Sequence, residues 1–180
     1  MKRIVMVVVT VLLVVLDQLV KYWARENLIS AGRVVVIEGV LGLRYATNAG
    51  AAFGILQGAR WFFVAVTILV LGVIVWYEFK LPQARKFLWI RVPMVLMAAG
   101  AIGNFIDRLL AGYVVDMFEF LFISFPIFNV ADVLLVAGMI IYAFATIFIL
   151  KESPEAYIRK AGGDDGGKDA ASVDSKSDVF

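Results

Sequence analysis

The sequence predicts an all-α polytopic membrane protein: four transmembrane helices, a small extracytoplasmic β element and an outer interfacial loop or helix. Of the 180 residues, 62% are hydrophobic, and the mean hydropathy is +0.90. A soluble domain of this size is nearer one half apolar. The apolar residues are concentrated in four runs, each close to the ~20 residues that a helix needs to cross ~30 Å of hydrocarbon. Helix is expected for each run because lipid offers the backbone no hydrogen-bond partners.

The predicted spans cover about residues 4–23, 61–77, 90–110 and 128–150. The first span has an alternative interpretation, because "MKR" followed by an apolar run is typical of a secretory signal peptide. The stretch "LDQLVKYWAR" follows this run, where a short cleavage site of small residues would be expected. A retained transmembrane helix is therefore favoured over a cleaved signal.

Lysine and arginine in the flanks of the spans predict the orientation in the membrane. Basic residues precede span one, surround the link between spans two and three, and follow span four: Lys2, Arg3, Lys80, Arg85, Lys86, Arg91, Lys151, Arg159 and Lys160. The link between spans three and four offers Arg108 alone. Both termini are therefore expected in the cytoplasm, with residues 24–60 and 111–127 outside.

The first outer segment contains a predicted β-hairpin. In "VLGLRYATN", the residues Leu41, Leu43 and Tyr45 alternate with Gly42 and Arg44, which is the period of a half-buried strand. The stretch "RVVVIEG" just before it is β-branched and ends in glycine, as a paired strand before a turn would.

The end of the chain has a different composition from the rest. Residues 161–180 are rich in glycine, aspartate and serine and have little to bury, so they are predicted to form a disordered cytoplasmic tail. Residues 1–160 are then expected to form one membrane domain, and truncation after Lys160 should leave its activity nearly unchanged.

The chain contains no cysteine and no histidine. Disulfides, thiolate nucleophiles, Ser-His triads and His-ligated metal sites are therefore excluded. The net charge of +2 is too small to indicate nucleic-acid binding. Any acid-base chemistry must come from Asp, Glu, Lys or Tyr, and we expect no metal and no other cofactor because a carboxylate-only site is a poor zinc site.

Polar and charged residues gather at one predicted depth, at the outer ends of helices one, three and four. They are Asp17, Lys21, Asn104, Asp107, Arg108, Asp116, Glu119, Asn129 and Asp132. Ionisable groups inside a membrane are costly and usually functional, although pairs that lock helices together are the simplest structural explanation. Because scattered structural pairs would not be expected to share one depth, we predict a single polar pocket that opens toward the outer leaflet.

The spacing of these residues predicts local partners on the helices. Asp17 and Lys21 are four apart and share one helix face, which favours a structural ion pair, or binding of a lipid headgroup, over direct chemistry. Lys21 is long enough to reach the membrane surface. Asn104 and Asp107, three apart, also share a face. With Arg108 directly after it, Asp107 is better suited to bracing the pocket than to exchanging protons.

Asp116 and Asp132 are the candidates for proton transfer. Asp116 lies in the apolar stretch "YVVDMF" of the outer link, and Asp132 lies one turn into the fourth helix, behind the candidate N-cap Asn129. The helix dipole alone would stabilise a carboxylate at the position of Asp132, which is a structural explanation for it. Two carboxylates brought together in apolar surroundings would instead share one proton and could activate water against an amide.

Five stretches, in order, make the chain resemble the bacterial lipoprotein signal peptidases, the type II, aspartate-dependent membrane peptidases. They are "DQLVK" at 17–21, "NAGAAFG" at 48–54, "GAIGNFIDR" at 100–108, "VVDMF" at 114–118 and "FNVAD" at 128–132. The resemblance covers about residues 10–150. A slightly short 110–127 link and the acidic tail depart from the family, but neither touches a motif.

The resemblance implies a function and a set of roles. Such enzymes cleave a diacylglyceryl-modified prolipoprotein just before its lipidated cysteine, in the bacterial plasma (inner) membrane, and they are the target of the cyclic peptide globomycin. The family's catalytic roles correspond to Asp116 and Asp132. Positions that line or brace the pocket correspond to Asn48, Gly50, Asn104, Asp107, Arg108 and Asn129, with Asp17 and Lys21 as a supporting pair. Membrane lipid is an expected partner, nucleic acid is not, and the expected state is a monomer.

Two other functions are compatible with buried carboxylates. A small proton-coupled transporter would use them as a proton relay, but such proteins usually have internal repeats and broken helices near the midplane. A purely structural membrane subunit would tolerate neutral replacements of Asp116 and Asp132. The 110–127 link, with Gly112, could in addition act as a flexible lid over the pocket.

Overall fold

The computed structural model describes residues 2–50, 55–82 and 84–150. Within them, four helices are long and apolar enough to cross a membrane. These are α1 (Arg3–Ala31), α2 (Arg60–Lys80), α3 (Leu88–Leu110) and α4 (Val130–Phe144), the last continued by a π-helical turn over Ala145–Ile149. The predicted four-span architecture is confirmed. The predicted tail, residues 161–180, lies outside the described residues.

Three antiparallel strands form a small sheet in the described part of the chain. The strands β1 (Arg33–Ile37), β2 (Leu41–Asn48) and β3 (Val114–Phe120) lie in the order β1-β2-β3. The predicted hairpin is present, because Arg33 pairs with Arg44 and Val34 with Leu43 across a tight turn. The sheet extends from the end of α1 and carries Asn48 to the end of α3.

The link between α3 and α4 is only in part the irregular loop that the sequence predicted. Its residues Val114–Phe120 form strand β3, which pairs with β2 in a register that sets Asp116 opposite Ala46. The apolar, β-branched flanks of Asp116 have a simple physical reason. They belong to a strand that is buried on both sides, where Val115 and Met117 pack on α1. The flexible lid predicted for residues 110–127 stays a prediction, and within this link Val114–Phe120 are paired in the sheet.

The first helix is also longer than predicted. It spans 29 residues, and its last turns leave the predicted membrane span to pack beneath the sheet. Ala24 and Leu28 are buried there against β3. The amphipathic end of α1 thus supports the sheet that carries Asp116, which hydropathy alone did not indicate.

Glycines let α1, α3 and α4 approach closely at the sheet end. A side-chain carbon at Gly103 would lie 2.5 Å from a carboxylate oxygen of Asp17, and one at Gly100 would collide with the carbonyl oxygen of Ala131. Helices α1 and α4 therefore meet α3 near the first residues of α4. This contact places the polar residues of three helices side by side.

The opposite end of the bundle holds a separate apolar core. Leu81, Phe87, Ile90, Met94, Ala145 and Leu150 are buried together there. Arg91 is fully buried beside this core, and its Nε donates to both carboxylate oxygens of Glu78 at 3.0 Å. Its Nη2 donates to the carbonyl oxygens of Leu81 and Pro82, so one side chain ties together the connection between α2 and α3.

Candidate active site

An open cavity of about 530 Å³ lies between the sheet, α3 and α4. Its polar side consists of Asn48, Gly50, Arg108 and Asp132, whereas the remainder is apolar. The apolar lining is Phe120, Phe125, Pro126, Ile127, Phe128, Val133, Val136, Ala137 and Ile140. A cavity with one polar wall and an apolar face along a membrane-exposed helix suits an amphiphilic ligand.

Asp132 is held at the first turn of α4 by a capping box. The Asn129 side chain accepts a hydrogen bond from the backbone N–H of Asp132 at 2.9 Å, and the backbone N–H of Asn129 donates to Asp132 Oδ2 at 3.2 Å. This is the reciprocal arrangement that satisfies two free N–H groups at a helix start. The Asn104 amide donates to the other oxygen, Oδ1, at 2.8 Å. The Asp132 carboxylate therefore has a fixed position on the cavity wall.

The side chain of Asp116 extends from strand β3 toward Asn129, the residue that also contacts Asp132. The Asn129 side-chain nitrogen donates to Asp116 Oδ1 at 2.6 Å, so one asparagine hydrogen bonds to both candidate aspartates. Asp116 is buried, with 3% of its surface exposed. Burial first, and the neighbouring charge of Asp132 second, raise the pKa of Asp116 from 3.8 to about 7. Asp116 can therefore hold a proton near neutral pH, as expected for a carboxyl in such a pair.

A buried ion network supports the pair from below. Lys21 Nζ contacts Asp17 at 2.9 Å and Asp107 at 3.1 Å, and it donates to Asn104 Oδ1 at 2.9 Å. Asp17 in turn accepts a hydrogen bond from the backbone N–H of Ala131 at 2.9 Å. Helix α1 thus caps the start of α4 from outside, in addition to the capping box of α4 itself.

Two expectations about these charges were wrong in detail. Lys21 pairs with Asp17 as predicted, but it does not reach the membrane surface, because 2% of its surface is exposed and three partners surround its ammonium. Asp107 is braced by Lys21 rather than by Arg108. The Arg108 guanidinium instead stacks at 4.6 Å over the Phe63 ring and donates to the carbonyl oxygen of Gly50 at 3.2 Å.

The structure brings the predicted site residues to one end of the bundle and divides them into two layers. Asn48, Gly50, Arg108 and Asp132 line the cavity. Asp17, Lys21, Asn104, Asp107, Asp116 and Asn129 are buried behind this wall. The backbone N–H of Val115 donates to Asp107 at 3.1 Å, so Asp107 also fixes the strand on which Asp116 lies.

Gln18 belongs to this network and was not singled out from the sequence. Its amide nitrogen lies within 3.2 Å of acceptors on Asp17, Asp107 and the Gly103 carbonyl. A polar residue beside Asp17 within an apolar span was the available signal. The aromatic lining from Phe120 to Phe128 was also missed, because its rings cluster through a strand and a turn without helical spacing.

The donor set offers little for a metal ion. Among the residues that the structure describes, no group of three or more acidic or imidazole and thiol side chains is arranged to hold one. The carboxylates of Asp17 and Asp107 already contact Lys21. The expectation of a metal-independent site stays a prediction.

The model of the signal peptidase II family matches residues 9–148. The chain belongs to the signal peptidase II family. It is therefore a peptidase, and neither the transporter nor the structural subunit considered above describes it. The match covers all five stretches on which the resemblance was based.

Curated relatives agree with this family. The chain is 45% identical over 146 residues to the lipoprotein signal peptidase of Latilactobacillus sakei subsp. sakei (strain 23K), covering 81% of this chain and 94% of that protein. It is 45% identical over 142 residues to the lipoprotein signal peptidase of Streptococcus thermophilus (strain CNRZ 1066), covering 78% and 91%. Nearly the whole of each relative is thus represented here.

Solved structures of bacterial membrane enzymes have the same fold. One is 36% identical with a TM-score of 0.72, covering 81% of this chain and 94% of the other. A second is 31% identical with a TM-score of 0.67, covering 98% and 94%. The arrangement of four helices and a small sheet is therefore the fold of a membrane enzyme.

Proposed function

We propose that the protein is an aspartic endopeptidase that removes the signal peptide from diacylglyceryl-modified prolipoproteins, cleaving before the lipidated cysteine. The observation that carries the proposal is the double contact of Asn129. Its side chain donates to Asp116 Oδ1, and it forms the capping box with Asp132. One asparagine therefore hydrogen bonds to a carboxyl on a strand and to a residue with a carboxyl on a helix. We propose these two aspartates as the catalytic pair.

The proposed cleavage mechanism uses two carboxyl groups that share one proton, so that one is ionised and the other protonated. The ionised member accepts a proton from a water molecule as the water attacks the scissile carbonyl, and the protonated member donates to the carbonyl oxygen. Burial keeps the two groups out of bulk water, and it holds the pKa of Asp116 at about 7. The pair therefore needs neither a thiol nor a histidine, which the chain lacks.

The cavity suits this substrate in shape and polarity. A lipidated precursor presents a polar peptide bond next to acyl chains, and the cavity has a polar wall next to an apolar surface along α4. Asn48, Gly50 and Arg108 face the substrate backbone in this proposal. Val133, Val136 and Ile140 would contact its apolar parts, and globomycin, a cyclic peptide, would occupy the same space.

We place the site toward the outer leaflet of the plasma (inner) membrane, with both termini in the cytoplasm. Exposed tryptophans mark both ends of the bundle, as at membrane interfaces: Trp23 and Trp61 at the site end, Trp76 and Trp89 at the opposite end. The basic flank residues that the structure describes lie at the opposite end, which supports its cytoplasmic position: Lys2, Arg3, Lys80, Arg85 and Arg91. We further propose that residues 1–160 suffice and that the enzyme acts as a monomer.

The experiment is cleavage of a lipidated precursor by the purified protein in the presence and absence of EDTA. We expect cleavage before the lipidated cysteine at equal rates in both conditions, and inhibition by globomycin. Loss of activity with EDTA and its recovery on adding a divalent ion would contradict the aspartic mechanism. Absence of cleavage by correctly folded protein would contradict the proposed function itself.

A further inference from the structure

The orientation of the Asn104 side chain is determined by its contact with Lys21. An ammonium group can only donate hydrogen bonds, and Lys21 Nζ lies 2.9 Å from Asn104 Oδ1. The amide oxygen of Asn104 must therefore face Lys21. Its nitrogen is left to donate to Asp132 Oδ1, at 2.8 Å.

The orientation of Asn129 is determined in the same way by a backbone donor. The N–H of Asp132 can only donate, and it lies 2.9 Å from Asn129 Oδ1. The Asn129 nitrogen consequently faces the other way, toward Asp116 Oδ1 at 2.6 Å and Asn104 Oδ1 at 3.2 Å. Neither amide can reverse without placing two donors or two acceptors against each other.

The two aspartates differ in what these fixed donors offer them. Both oxygens of Asp132 accept from N–H groups, Oδ1 from Asn104 and Oδ2 from the backbone of Asn129. Asp132 also lies at the N-terminal end of α4, where the helix dipole favours a negative charge. Asp116 lies in strand β3, away from any helix end, and its buried carboxyl accepts hydrogen bonds from the side chains of Asn129 and Asn48.

We infer that the proton of the resting pair lies on Asp116, that Asp132 is ionised, and that Lys21 maintains this placement by orienting Asn104. The inference rests on the aspartic mechanism proposed above and assigns its two roles. Lys21 is then a positioning residue, because it acts on the pair through Asn104 and lies behind the cavity wall.

The assignment gives a balanced reaction. Asp132 accepts a proton from water as the water oxygen bonds to the carbonyl carbon, and Asp116 gives its proton to the carbonyl oxygen, which yields a gem-diol. Asp132 then transfers its proton to the amide nitrogen as the C–N bond breaks, and Asp116 recovers a proton from a gem-diol hydroxyl. The products are a carboxylic acid and an amine, and the pair returns to its starting state.

The charges that face Asp116 set the pH at which the pair loses its proton, whereas the orientation of Asn104 sets which carboxyl holds it. These charges come from each neighbouring helix: Lys21 on α1, Arg108 on α3 and Asp132 on α4. Burial and the charge of Asp132 raise the pKa of Asp116, whereas Lys21 acts in the opposite direction. Removing the charge of Lys21 should therefore make Asp116 retain its proton to a higher pH.

Infrared difference spectroscopy tests the position of the proton. At pH 5, wild-type protein should show the carbonyl stretch of a buried protonated carboxylic acid. We expect this band to disappear in Asp116→Asn and to persist in Asp132→Asn. A band that survives in Asp116→Asn, or its absence from the wild type, would overturn the assignment.

The pH dependence of single-turnover cleavage tests the role of Lys21. In Lys21→Met we expect a rate lower by roughly tenfold, the cost of one hydrogen bond to a charged group. We also expect the alkaline limb of the pH–rate profile, where the rate falls, to move to higher pH by on the order of one unit. Lys21→Arg, which keeps a charged donor, should restore the position of the limb.

Asp17→Asn is the matched control. It removes another partner of Lys21, at 2.9 Å, but leaves the bond from Lys21 to Asn104. A structural role predicts that both variants lower the melting temperature and leave the alkaline limb in place. The inference fails if Lys21→Met, folded and active, has the wild-type limb, whereas the proposed function fails only if the wild type does not cleave the precursor.

Discussion

The two ends of the bundle each bury charged side chains, but they balance those charges differently. At the opposite end, one carboxylate, Glu78, lies between Arg91 and Arg3, at 3.0 and 3.8 Å. In the cluster around Asn104 and Asn129 at the site end, four carboxylates face two cations among the described residues, whereas the buried Glu119 on β3 has its own partners Arg33 and Arg44. The carboxylates are Asp17, Asp107, Asp116 and Asp132, and the cations are Lys21 and Arg108.

This difference separates a structural cluster from the cluster that we propose to be reactive. A cluster whose carboxylate is fully matched by cations gains nothing from holding a proton. A cluster with surplus carboxylates in a buried setting lowers its energy by keeping one. The surplus lies beside a cavity, whereas Arg91 is completely buried next to an apolar core. Buried charge therefore indicates chemistry here only where it is unbalanced and open to a ligand.

The largest expected effect on the cleavage rate comes from replacing one of the surplus carboxylates by a neutral amide. Asp116→Asn and Asp132→Asn should each lower the single-turnover rate by roughly 10²–10⁴-fold, the usual contribution of a positioned proton donor or acceptor. Both proteins should insert in the membrane and bind globomycin, since an amide has nearly the same shape. Near-normal cleavage by either folded variant would remove that residue from the pair.

Breaking the balanced cluster should have the opposite profile. Arg91→Met leaves Glu78 without its closest partner and should lower the free energy of unfolding by about 3–5 kcal/mol, the usual cost of breaking a buried pair. The rate per folded molecule should not change. The double variant Arg91→Met/Glu78→Leu should recover much of the stability in thermal unfolding. A large loss of rate in folded Arg91→Met would show that the two ends are coupled.

Asp107→Asn should have a smaller, mixed effect. The substitution weakens the contact with Lys21 and the hydrogen bond from Val115, at 3.1 Å each, and we expect a loss of about 1–3 kcal/mol. Substrate affinity should fall because Asp107 fixes strand β3, while cleavage of bound precursor continues. Precursor that binds to Asp107→Asn but is not cut would instead place Asp107 in the reactive pair.

The smallest effect concerns stability and pH. In the folded protein the pKa of Asp116 is about 7, against an ordinary value of 3.8. The free energy of unfolding therefore falls as the pH rises between these two values. Asp116→Asn removes the titrating carboxyl and with it this loss of stability. Its melting temperature, relative to wild type, should therefore be higher at pH 8 than at pH 5. An equal difference at both values would mean that Asp116 is already ionised at pH 5.

The sequence was sufficient to predict the spans, the hairpin and the common depth of the polar residues. Those predictions depend on length, alternation and the cost of charge in lipid, which are local properties. It was not sufficient for strand β3, because a strand buried on both sides has no alternation to detect. Nor did it reveal that Lys21 lies buried under Asn104, since only the folded α1–α3 contact decides whether a long side chain points inward or outward.

The most direct test for a catalytic proton on Asp116 is the pH dependence of single-turnover cleavage by the wild-type enzyme. The proposed mechanism requires a protonated Asp116. The charges of Asp132, Lys21 and Arg108 act on this carboxyl, whose pKa is raised by burial to about 7. The rate constant should therefore fall as the pH rises through about 7, while globomycin binding and the melting transition show that the protein stays folded. A rate that is constant from well below to well above that pH would contradict the central claim that this end of the bundle holds a catalytic proton.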